Sequence, residues 1–400
     1  MLHGGIRYLE NLDFELVKEA LFEKNLWLKL TPHIVKEKRF YLPVYKDSLR
    51  PLWQMSIGVF LYDLLSFFKN SPHGKKNPAE LLKDIPSLKK KDLCGAAYYY
   101  DAVVDDAKLA LECLYDALEN PKVHAQSYIG LTDVKPTSDG YILELTDQIT
   151  HETKQVTCEQ LVFATGPFTD TLLKQFSYLK WQDKLIASKG SHLWIKKERI
   201  QSKYPIVMTP KDGRVIFVIP YEDAILVGTT ETNEPVSFNQ GPSDSEVDYL
   251  LTNLNDYFEG DIQRSDIIGS FAGTRPLVKD PDHPNDLSKT AREHQIYRPH
   301  ENTFVIIGGK YTTFRIMASH ITAQILRKRN LAYNSHFSKR PLRVQSLSTQ
   351  ETQVDEKLIK NIINKEHVRR QEDILRRRLS GATQSQETIE LVNKAFTEQL

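Results

Sequence analysis

Apolar residues in the first 120 positions recur mostly at the spacing of one helix face. Phe14 and Val17, followed by leucines on the same face, predict a helix over residues 13–30 that stops before a proline. An apolar run predicts a second helix over 53–69. Two aspartates begin a third helical stretch over 105–118, where their charge suits the positive N-terminal end of a helix.

The second of these helices contains the longest candidate for membrane contact. Residues 53–62 are interrupted by polar side chains and are too short to span a bilayer. The stretch fits either a helix packed in the core or a helix lying in a membrane interface, and the sequence leaves both open. Beyond residue 341 the chain becomes rich in Gln, Glu, Lys and Arg, which predicts a small solvated helical region.

Short runs of apolar and β-branched residues predict the strands. Residues 161–165 and 305–307 are continuous apolar runs that end at glycines, as is typical of strands buried in a parallel sheet. Runs 141–145 and 155–158 flank a turn and predict a hairpin. The other predicted strands are 192–195, 215–219 and 224–227. Together these elements predict an α/β protein of mixed α+β character.

Composition and charge argue against several broad classes of protein. The 400 residues favour two or three domains, and 53 Lys+Arg balance 52 Asp+Glu. This balance gives no overall field that would attract nucleic acid or a membrane. The 12 His and 3 Cys show no zinc spacing and no C-x-x-C pair, and no signal-peptide core opens the chain. The sequence therefore predicts no metal site and a reducing compartment.

Four segments combine glycines with a charged or imidazole side chain, and they contain the candidate catalytic and binding residues. They are residues 3–10, 188–192, 273–277 and 305–315. Arg7 and Arg275 are candidate anion clamps, since a guanidinium binds phosphate or carboxylate through two hydrogen bonds. His192 is a candidate general base near neutral pH. Each residue also has a structural interpretation, as an ion-pair partner or a hydrogen-bonded histidine, so the residues alone support only an α/β enzyme with an anionic substrate.

The last of these segments has the order of a cofactor-binding junction. A buried strand leads into Gly308 and Gly309, where the backbone can turn sharply and a ligand can approach closely. Lys310 adds a positive charge, and Thr312 or Thr313 is placed to cap the following helix. Open α/β sheets bind cofactors at such junctions, although an ordinary turn between a strand and a helix is the alternative.

In their order along the chain, these segments resemble the FAD-dependent glycerol-3-phosphate dehydrogenase family, within the larger glycine-oxidase and D-amino-acid-oxidase-like flavoproteins. The matching motifs are HGGIRYLE over 3–10, ATGP over 164–167, SKGSH over 188–192, GTRPL over 273–277 and GGKYTTFR over 308–315. A basic stretch over 366–378 is similar to that family's C-terminal helical motif. Each motif is weak alone, and the ordered set is specific.

The resemblance implies a fold and a cofactor, FAD. It implies an FAD-binding doubly wound domain interleaved with an antiparallel-sheet substrate domain over 1–336, then a shortened helical domain over 337–400. That family opens with a G-x-G-x-x-G unit for the ADP half of FAD, and these 400 residues contain no such motif. The doubly wound domain is therefore expected to be incomplete, and three explanations stay open: a misassigned start, a separate chain or a decaying gene.

The resemblance also implies roles for individual residues. The phosphate of sn-glycerol 3-phosphate would contact Arg7, Tyr8 and Arg275, and the reacting C2 hydroxyl would lie beside His192 and Lys310. His192 would take the hydroxyl proton, with Arg275 and Lys310 completing the catalytic group. The residues implied to contact the flavin are Gly166, Gly308, Gly309, Lys310, Thr312 and Thr313.

The activity implied is oxidation of sn-glycerol 3-phosphate to dihydroxyacetone phosphate, with electrons passed from FAD to a quinone. The implied location is the cytoplasm, with peripheral contact on the inner face of the cell membrane, and a homodimer is compatible with the sequence. Two alternatives stay open: a related amine-oxidising flavoenzyme, and an inactive or partner-requiring fragment. The charge balance predicts no nucleic-acid partner.

Overall fold

Helices and three β-sheets form the part of the chain described by this computed structural model, which comprises residues 1–238, 240–280, 293–350, 354–379 and 385–398, without the side chains of residues 349 and 350. The α-helices are α1 (Phe14–Leu30), α2 (Leu52–Leu65), α3 (Pro78–Asp84), α4 (Asp106–Leu118), α5 (Thr169–Leu173), α6 (Asp244–Tyr257), α7 (Phe314–Lys328), α8 (Leu347–Gln350), α9 (Glu356–Lys365), α10 (Gln371–Leu375) and α11 (Gln386–Thr397). The β-strands are β1 (Lys36–Tyr45), β2 (Gly74–Lys76), β3 (Leu93–Val103), β4 (Ile129–Pro136), β5 (Tyr141–Asp147), β6 (Thr153–Cys158), β7 (Leu161–Phe163), β8 (Leu185–Lys196), β9 (Ile206–Met208), β10 (Ile216–Pro220), β11 (Ala224–Gly228), β12 (Thr232–Asn233), β13 (Ile267–Val278), β14 (His294–His300) and β15 (Thr303–Gly308). This mixture of helices with parallel and antiparallel strands is the predicted mixed α/β class.

The largest sheet is mainly antiparallel and is covered on both faces. Its strands run in the order β12-β8-β11-β10-β9-β1-β3-β2, and β13 pairs with β8 outside that path. Along β1, Tyr41 packs in the apolar cluster of α3 and α6, whereas Phe40 and Leu42 pack in the cluster of α1 and α2. Neighbouring residues of a strand point to opposite faces, so a strand covered on both faces is apolar without alternation.

A smaller sheet contains the two strands predicted to be parallel. β15 pairs in parallel with β7 and antiparallel with β14, giving the order β14-β15-β7. Residues 304–307 alternate between two apolar clusters, so β15 is buried on both faces as predicted. The carboxyl ends of β7 and β15 point the same way, which brings Gly166 and Gly308 to one edge of the sheet.

Several predicted boundaries are corrected by the structure. The second helix ends at Leu65 rather than at residue 69, because Phe67 and Phe68 take left-handed backbone angles, with φ of 54° and 55°. The loop that follows contains β2, which the sequence did not predict. The predicted hairpin is confirmed as β5 and β6, and a third strand, β4, extends it. The predicted strand 192–195 is only the end of the longer β8.

A small helical cluster near the C-terminus has its own apolar core, formed by residues of α9, α10 and α11. It is attached to α4 through buried polar contacts. Arg378 Nε donates to Glu366 Oε2 at 3.0 Å, and the Tyr115 hydroxyl donates to the same carboxylate at 3.1 Å. The helical character predicted beyond residue 341 is therefore observed, while the division of the chain at 336/337 stays a prediction.

Replacing Glu23 with glutamine is expected to lower the free energy of unfolding by about 3–5 kcal/mol, because a buried guanidinium loses its counter-charge. Arg315 in α7 donates from Nε and Nη2 to the Glu23 carboxylate on α1, at 2.9 and 2.6 Å, and both side chains are buried. Urea unfolding measures the change. Asp47→Asn, which removes the exposed partner of Lys211, is the matched control and should have no measurable effect. Equal losses in both variants would contradict the prediction.

Candidate active site

Two of the four candidate segments lie side by side on β8 and β13. The strand register places Phe271 opposite His192 and Arg275 opposite Ser188. Residues two positions apart on a strand share a face, so His192, Phe271 and Arg275 project from the same face of the sheet. The structure therefore brings the predicted base and one predicted anion clamp to one face.

One of two facing glycines leaves an open space between these side chains. Gly273 lies opposite Gly190, midway along β13 between the Phe271–His192 pair and Arg275. A Cβ atom on Gly273 would have no neighbour within 4 Å, whereas one on Gly190 would collide with the guanidinium of Arg275. The Arg275 side chain therefore folds over Gly190, and the space beside Gly273 can take a small ligand.

Hydroxyl groups hold the guanidinium of Arg275. Its Nη2 donates to Thr229 Oγ1 at 2.9 Å, and its Nη1 lies 3.5 Å from the Ser188 hydroxyl. The Thr229 hydroxyl in turn donates to the backbone carbonyl of Thr230 at 3.1 Å, which fixes its orientation. A half-buried guanidinium held in one orientation is suited to binding an anion through two hydrogen bonds.

The opposite face of β8 is anchored by a buried ion pair. Lys189 Nζ lies 2.9 Å from Glu246 and 3.0 Å from Glu234. Burial raises the pKa of the Glu246 carboxyl, but hydrogen bonds from Thr230, the Ser243 backbone and Lys189 outweigh it and lower that pKa to about 2. Because the carboxylate stays charged at neutral pH, the ion pair holds the strand that carries the candidate base.

Packing, rather than a carboxylate, positions the imidazole of His192. The ring stacks on Phe271 with centroids 4.8 Å apart and planes 8° from parallel, and on its other side a Cβ atom on Gly228 would collide with it. Nδ1 has no hydrogen-bond partner among the described residues. Burial, and then the charge of Arg275, lower the pKa of His192 to about 4. The ring is therefore neutral at pH 7 and able to accept a proton.

The other two candidate segments form a second group. Lys310 Nζ lies 3.6 Å from the centre of the Tyr8 ring, which is a cation–π contact, and the Arg7 guanidinium carbon lies 6.0 Å from the same ring. Arg7 and Tyr8 belong to a 3-10 helix, Ile6–Leu9, that directly follows two glycines. The structure therefore brings Arg7, Tyr8 and Lys310 together, whereas the resemblance groups Arg7 and Tyr8 with Arg275, and Lys310 with His192. The roles of these residues stay predictions.

A phenylalanine connects the two groups. Phe217 on β10 lies opposite Gly228, which lies opposite His192 on β8. The ring of His3 packs against Phe217 with centroids 6.3 Å apart. Burial is the main cause that lowers the pKa of His3 to about 3, and the charges of the N-terminal amino group, Lys310 and Arg7 add to it. The two groups of candidate residues therefore border the same region of the protein.

The glycines at the strand ends have backbone angles that favour glycine. Gly308 and Gly309 have φ of 71° and 79°, and Gly166, just beyond β7, has φ of 55°. A Cβ atom on Gly166 would meet nothing within 4 Å, whereas one on Gly308 would contact Val278 at 2.5 Å. Gly166 therefore faces open space, and Gly308 is required by close packing.

The predicted capping of α7 by a threonine is wrong. Thr313 occupies the position before the helix, but no side-chain hydrogen bond caps the helix there. The Thr313 hydroxyl instead donates to the Lys310 carbonyl at 3.3 Å. Thr312 Oγ1 accepts from the His3 backbone N–H at 3.1 Å and donates to its carbonyl at 3.2 Å. Thr312 thus joins the glycine junction to the start of the chain, while Thr313 bonds within the junction.

Sequence reasoning missed Phe271 and Thr229 as parts of this site. Both contacts depend on pairing between strands that are distant along the chain, which the sequence did not reveal. The available signal was the two-residue period of β13, since Phe271, Gly273 and Arg275 share one face. That period shows which residues lie beside Arg275, but it does not show that His192 stands opposite.

The sequence is similar to known proteins over most of its length. A profile of the family described as FAD dependent oxidoreductase (DAO) matches residues 1–329. The chain is 34% identical over 335 residues to a glycerol-3-phosphate dehydrogenase of Mycobacterium leprae, covering 80% of this chain and 54% of that protein. It is 32% identical over 331 residues to a D-erythritol 1-phosphate dehydrogenase of Brucella abortus, covering 80% and 63%. The chain spans about half the length of the curated relatives it matches.

The fold is also similar to a solved structure. The glycerol-3-phosphate dehydrogenase from Bacillus halodurans, complexed with FAD, matches with a TM-score of 0.65 and 24% identity, over 79% of this chain and 56% of that chain. This likeness confirms the predicted fold class. Because the family profile covers residues 1–329 of the 400, the chain belongs to the family of FAD dependent oxidoreductases.

Proposed function

We propose that this protein oxidises sn-glycerol 3-phosphate to dihydroxyacetone phosphate with FAD as the oxidant. The observation that carries the proposal is the joint placement of an oriented guanidinium, Arg275, and a neutral imidazole, His192, beside the open space at Gly273. An anion clamp and a proton acceptor on one face suit a substrate that has a phosphate at one end and a reacting hydroxyl at the other. The names of two relatives, both dehydrogenases of phosphorylated polyols, support this substrate class.

In this proposal the phosphate binds to arginines at the edge of the site. Arg275, held by Thr229, donates two hydrogen bonds to phosphate oxygens, and Arg7 adds a second positive charge. Tyr8 adds a hydroxyl and, through its ring, keeps the Lys310 ammonium in place. Binding the phosphate at a fixed point orients the C2 hydroxyl towards the imidazole.

His192 then accepts the proton of the C2 hydroxyl. Its lowered pKa keeps the imidazole neutral, and the stacked ring of Phe271 holds it in one orientation. Lys310 and Arg275 stabilise negative charge that develops on the C2 oxygen as the proton leaves. FAD, when bound, supplies the acceptor for the hydride from C2, so that one proton and one hydride leave the alcohol and a ketone forms.

The residues at the strand ends fit the flavin part of FAD. Gly166 faces open space at the carboxyl end of β7, and Gly308 and Gly309 have the backbone angles that allow close approach. The N-terminal end of α7 follows them, and helix N-termini favour electron-rich oxygens such as those of a flavin ring. Lys310 and the segment 312–313 complete the set proposed to contact the flavin.

Replacing Gly166 with alanine is expected to weaken FAD binding at least about tenfold, because the new methyl group enters the space proposed for the cofactor. Gly213→Ala is the matched control: Gly213 also has a positive φ and no neighbour within 4 Å, and it lies in a turn far along the chain from the strand ends. Both substitutions carry a similar backbone strain of about 1 kcal/mol. FAD affinity measured by fluorescence quenching checks this, and equal effects on affinity would contradict it.

The remaining parts of the proposal concern the electron acceptor, the membrane contact and the oligomeric state. We propose a quinone as the acceptor and peripheral contact with a membrane; a homodimer stays a prediction. None of the helices among the described residues is long and apolar enough to cross a membrane. An amine substrate is the competing activity on this fold, and the paired arginine and histidine segments favour the phosphate.

The test is a flavin spectrum of the purified 400-residue chain, with and without added FAD, followed by anaerobic addition of substrate. Bleaching of the flavin band by glycerol 3-phosphate is the expected result. Bleaching only by D-erythritol 1-phosphate would move the proposal to another phosphorylated polyol, and bleaching only by glycine would overturn it. A chain that takes up no FAD would favour the partner-requiring fragment.

A further inference from the structure

The turn that leads into Arg7 and Tyr8 contains two successive glycines, and its shape depends on contacts from elsewhere in the protein. Gly5 has a φ of 78° and precedes the 3-10 helix Ile6–Leu9, in which the Tyr8 N–H donates to the Gly5 carbonyl at 2.9 Å. Glycines give the backbone its greatest conformational freedom, and a single 3-10 turn is too short to be stable alone. The orientation of Arg7 and Tyr8 is therefore set by the groups that hold this turn.

Two buried side chains hold the turn from the side of α2. The Tyr62 hydroxyl accepts from the Gly4 backbone N–H at 2.7 Å, and it donates to the carboxylate of Asp101, whose two oxygens each lie 2.8 Å away. Tyr62 and Asp101 are both buried. A Cβ atom on Gly4 would lie 2.6 Å from the Tyr62 hydroxyl oxygen, so this close approach requires glycine. The phenol of Tyr62 is thus bonded to the backbone of the motif that contains Arg7.

A second contact holds the neighbouring residue from the glycine junction. Thr312 Oγ1 accepts from the His3 backbone N–H at 3.1 Å and donates to the His3 carbonyl at 3.2 Å. The successive residues His3 and Gly4 are therefore bonded to two different parts of the protein, which together select one conformation of the turn. Thr312 belongs to the segment proposed to contact the flavin, whereas Tyr62 and Asp101 take no part in the proposed chemistry.

Stability alone does not account for these buried polar groups. Burial raises the pKa of Asp101 to about 7, even though the charge of Lys24 and the hydrogen bond from Tyr62 lower it. The Lys24 ammonium, which is also buried, lies 4.0 Å from Asp101 and 2.7 Å from Asn70 Oδ1. Buried charged pairs are often no more stabilising than apolar side chains of similar volume. The backbone position that these groups fix is a better explanation for them.

We propose that Tyr62 and Asp101 are positioning residues for the site that binds the substrate phosphate. The Tyr62 hydroxyl, oriented by Asp101, fixes the Gly4 amide, and this amide sets the direction in which the chain enters the 3-10 helix. Without the hydroxyl, the two glycines can take other conformations, so that Arg7 is less often in the orientation that binds phosphate. The inference rests on the proposed function, since it takes Arg7 as a phosphate-binding group.

The test is a calorimetric titration of the full chain with inorganic phosphate in the presence of FAD. Tyr62→Phe removes only the hydroxyl and is expected to raise the Kd for phosphate about tenfold, because affinity falls with the fraction of the protein in the binding conformation. Tyr115→Phe is the matched control and should leave the Kd unchanged, since the Tyr115 hydroxyl also lies buried between a donor, Arg378, and a carboxylate, Glu366. An unchanged Kd in Tyr62→Phe, or equal changes in the two variants, would overturn the proposal.

A second variant separates positioning from stability. Asp101→Asn keeps an oxygen that accepts from the Tyr62 hydroxyl, but it removes the negative charge beside Lys24. It is therefore expected to lower the midpoint of urea unfolding and to leave the Kd for phosphate within about twofold of the wild type. If the Kd followed the urea midpoint across Asp101→Asn and Tyr62→Phe, the role would be a general structural one and the proposal would be wrong.

A double-mutant cycle shows whether the effect of Tyr62 passes through Arg7. Arg7→Ala is expected to raise the Kd for phosphate about tenfold, and adding Tyr62→Phe to it should raise the Kd by less than about threefold more, because only Tyr8 remains to be displaced. Additive losses would overturn the proposal. No loss in Arg7→Ala would remove Arg7 from the phosphate site, and the inference with it.

The cycle also distinguishes this inference from the proposed function. Coupling between Arg7 and Tyr62, in a protein that does not oxidise glycerol 3-phosphate, would mean that the proposed activity fails while the positioning of an anion site stands. Oxidation of glycerol 3-phosphate without such coupling would mean that the inference alone fails.

Discussion

Replacing Arg275 with alanine in the FAD-loaded protein is expected to lower kcat/KM for sn-glycerol 3-phosphate by about 1,000-fold, mainly through KM. Thr229 holds the guanidinium by a 2.9 Å hydrogen bond on the same face as His192. Two hydrogen bonds between a guanidinium and a phosphate contribute about 2 kcal/mol each, and about 1.4 kcal/mol corresponds to a factor of ten. Steady-state kinetics with an artificial electron acceptor measure the change.

Comparing the rates with glycerol 3-phosphate and with glycerol distinguishes a loss of phosphate binding from a general loss of activity. Arg275→Ala is expected to lower the rate with the phosphorylated substrate far more than the weak rate with glycerol, which loses only the charge stabilisation at the C2 oxygen. Arg275→Lys keeps the charge but not the two-bond geometry, so an intermediate loss is expected. Arg214→Ala, which removes a half-exposed guanidinium beside Asp212, is the matched control. An unchanged KM in Arg275→Ala would remove Arg275 from the phosphate site.

The elements that the sequence predicted are those whose pattern is local. α1 and α4 begin and end within one residue of the predicted helices, since helical periodicity and an acidic start are visible along the chain. β15 was visible as a continuous apolar run that ends at glycines. β1 and β3 were not predicted, although they pair over ten residues in the large sheet. They are covered on both faces, so neither shows the alternation that identifies a strand.

In the candidate site, too, the sequence revealed residues in short motifs but not contacts between segments that are distant along the chain. The motifs identified His192, Arg275 and Lys310, because each stands beside glycines in a recognisable order. The motifs did not reveal that Phe271 stacks on His192, since that contact depends on the register of β8 and β13. The threonine cap failed for a related reason: Thr312 is used by His3, which is 309 positions away. Thr313, which stands at the cap position, instead donates to the carbonyl of Lys310 three residues earlier, so a different local hydrogen bond replaced the cap.

His192→Ala is expected to lower kcat by about 1,000-fold, because it removes the proposed proton acceptor and leaves no other imidazole in its place. The packing that positions the ring gives this variant a specific readout. Deleting the side chain opens a space between Phe271 and Gly228, and free imidazole can enter that space as a flat ring of the same size. Added imidazole is therefore expected to restore part of kcat in His192→Ala and to have no effect on Arg275→Ala. A failure of imidazole to restore any activity, with FAD still bound, would argue against His192 as the base.

The pH dependence of the wild type tests the same assignment. Burial, and then Arg275, lower the pKa of His192 from 6.5 to about 4, so the imidazole is neutral above about pH 4. The acid limb of kcat/KM is therefore expected near pH 4 rather than near 6.5. Between about pH 4 and pH 6.5, the unfolded chain binds more protons at His192 than the folded protein does. The contribution of His192 to the free energy of unfolding is therefore present above pH 6.5 and is lost as the pH falls to about 4. Arg275→Ala removes the nearby cation but not the burial, so its acid limb should move only part of the way towards 6.5. A wild-type limb at 6.5 would mean either that the pKa of His192 is not lowered or that another group titrates. A limb that persists in His192→Ala would show that another group titrates.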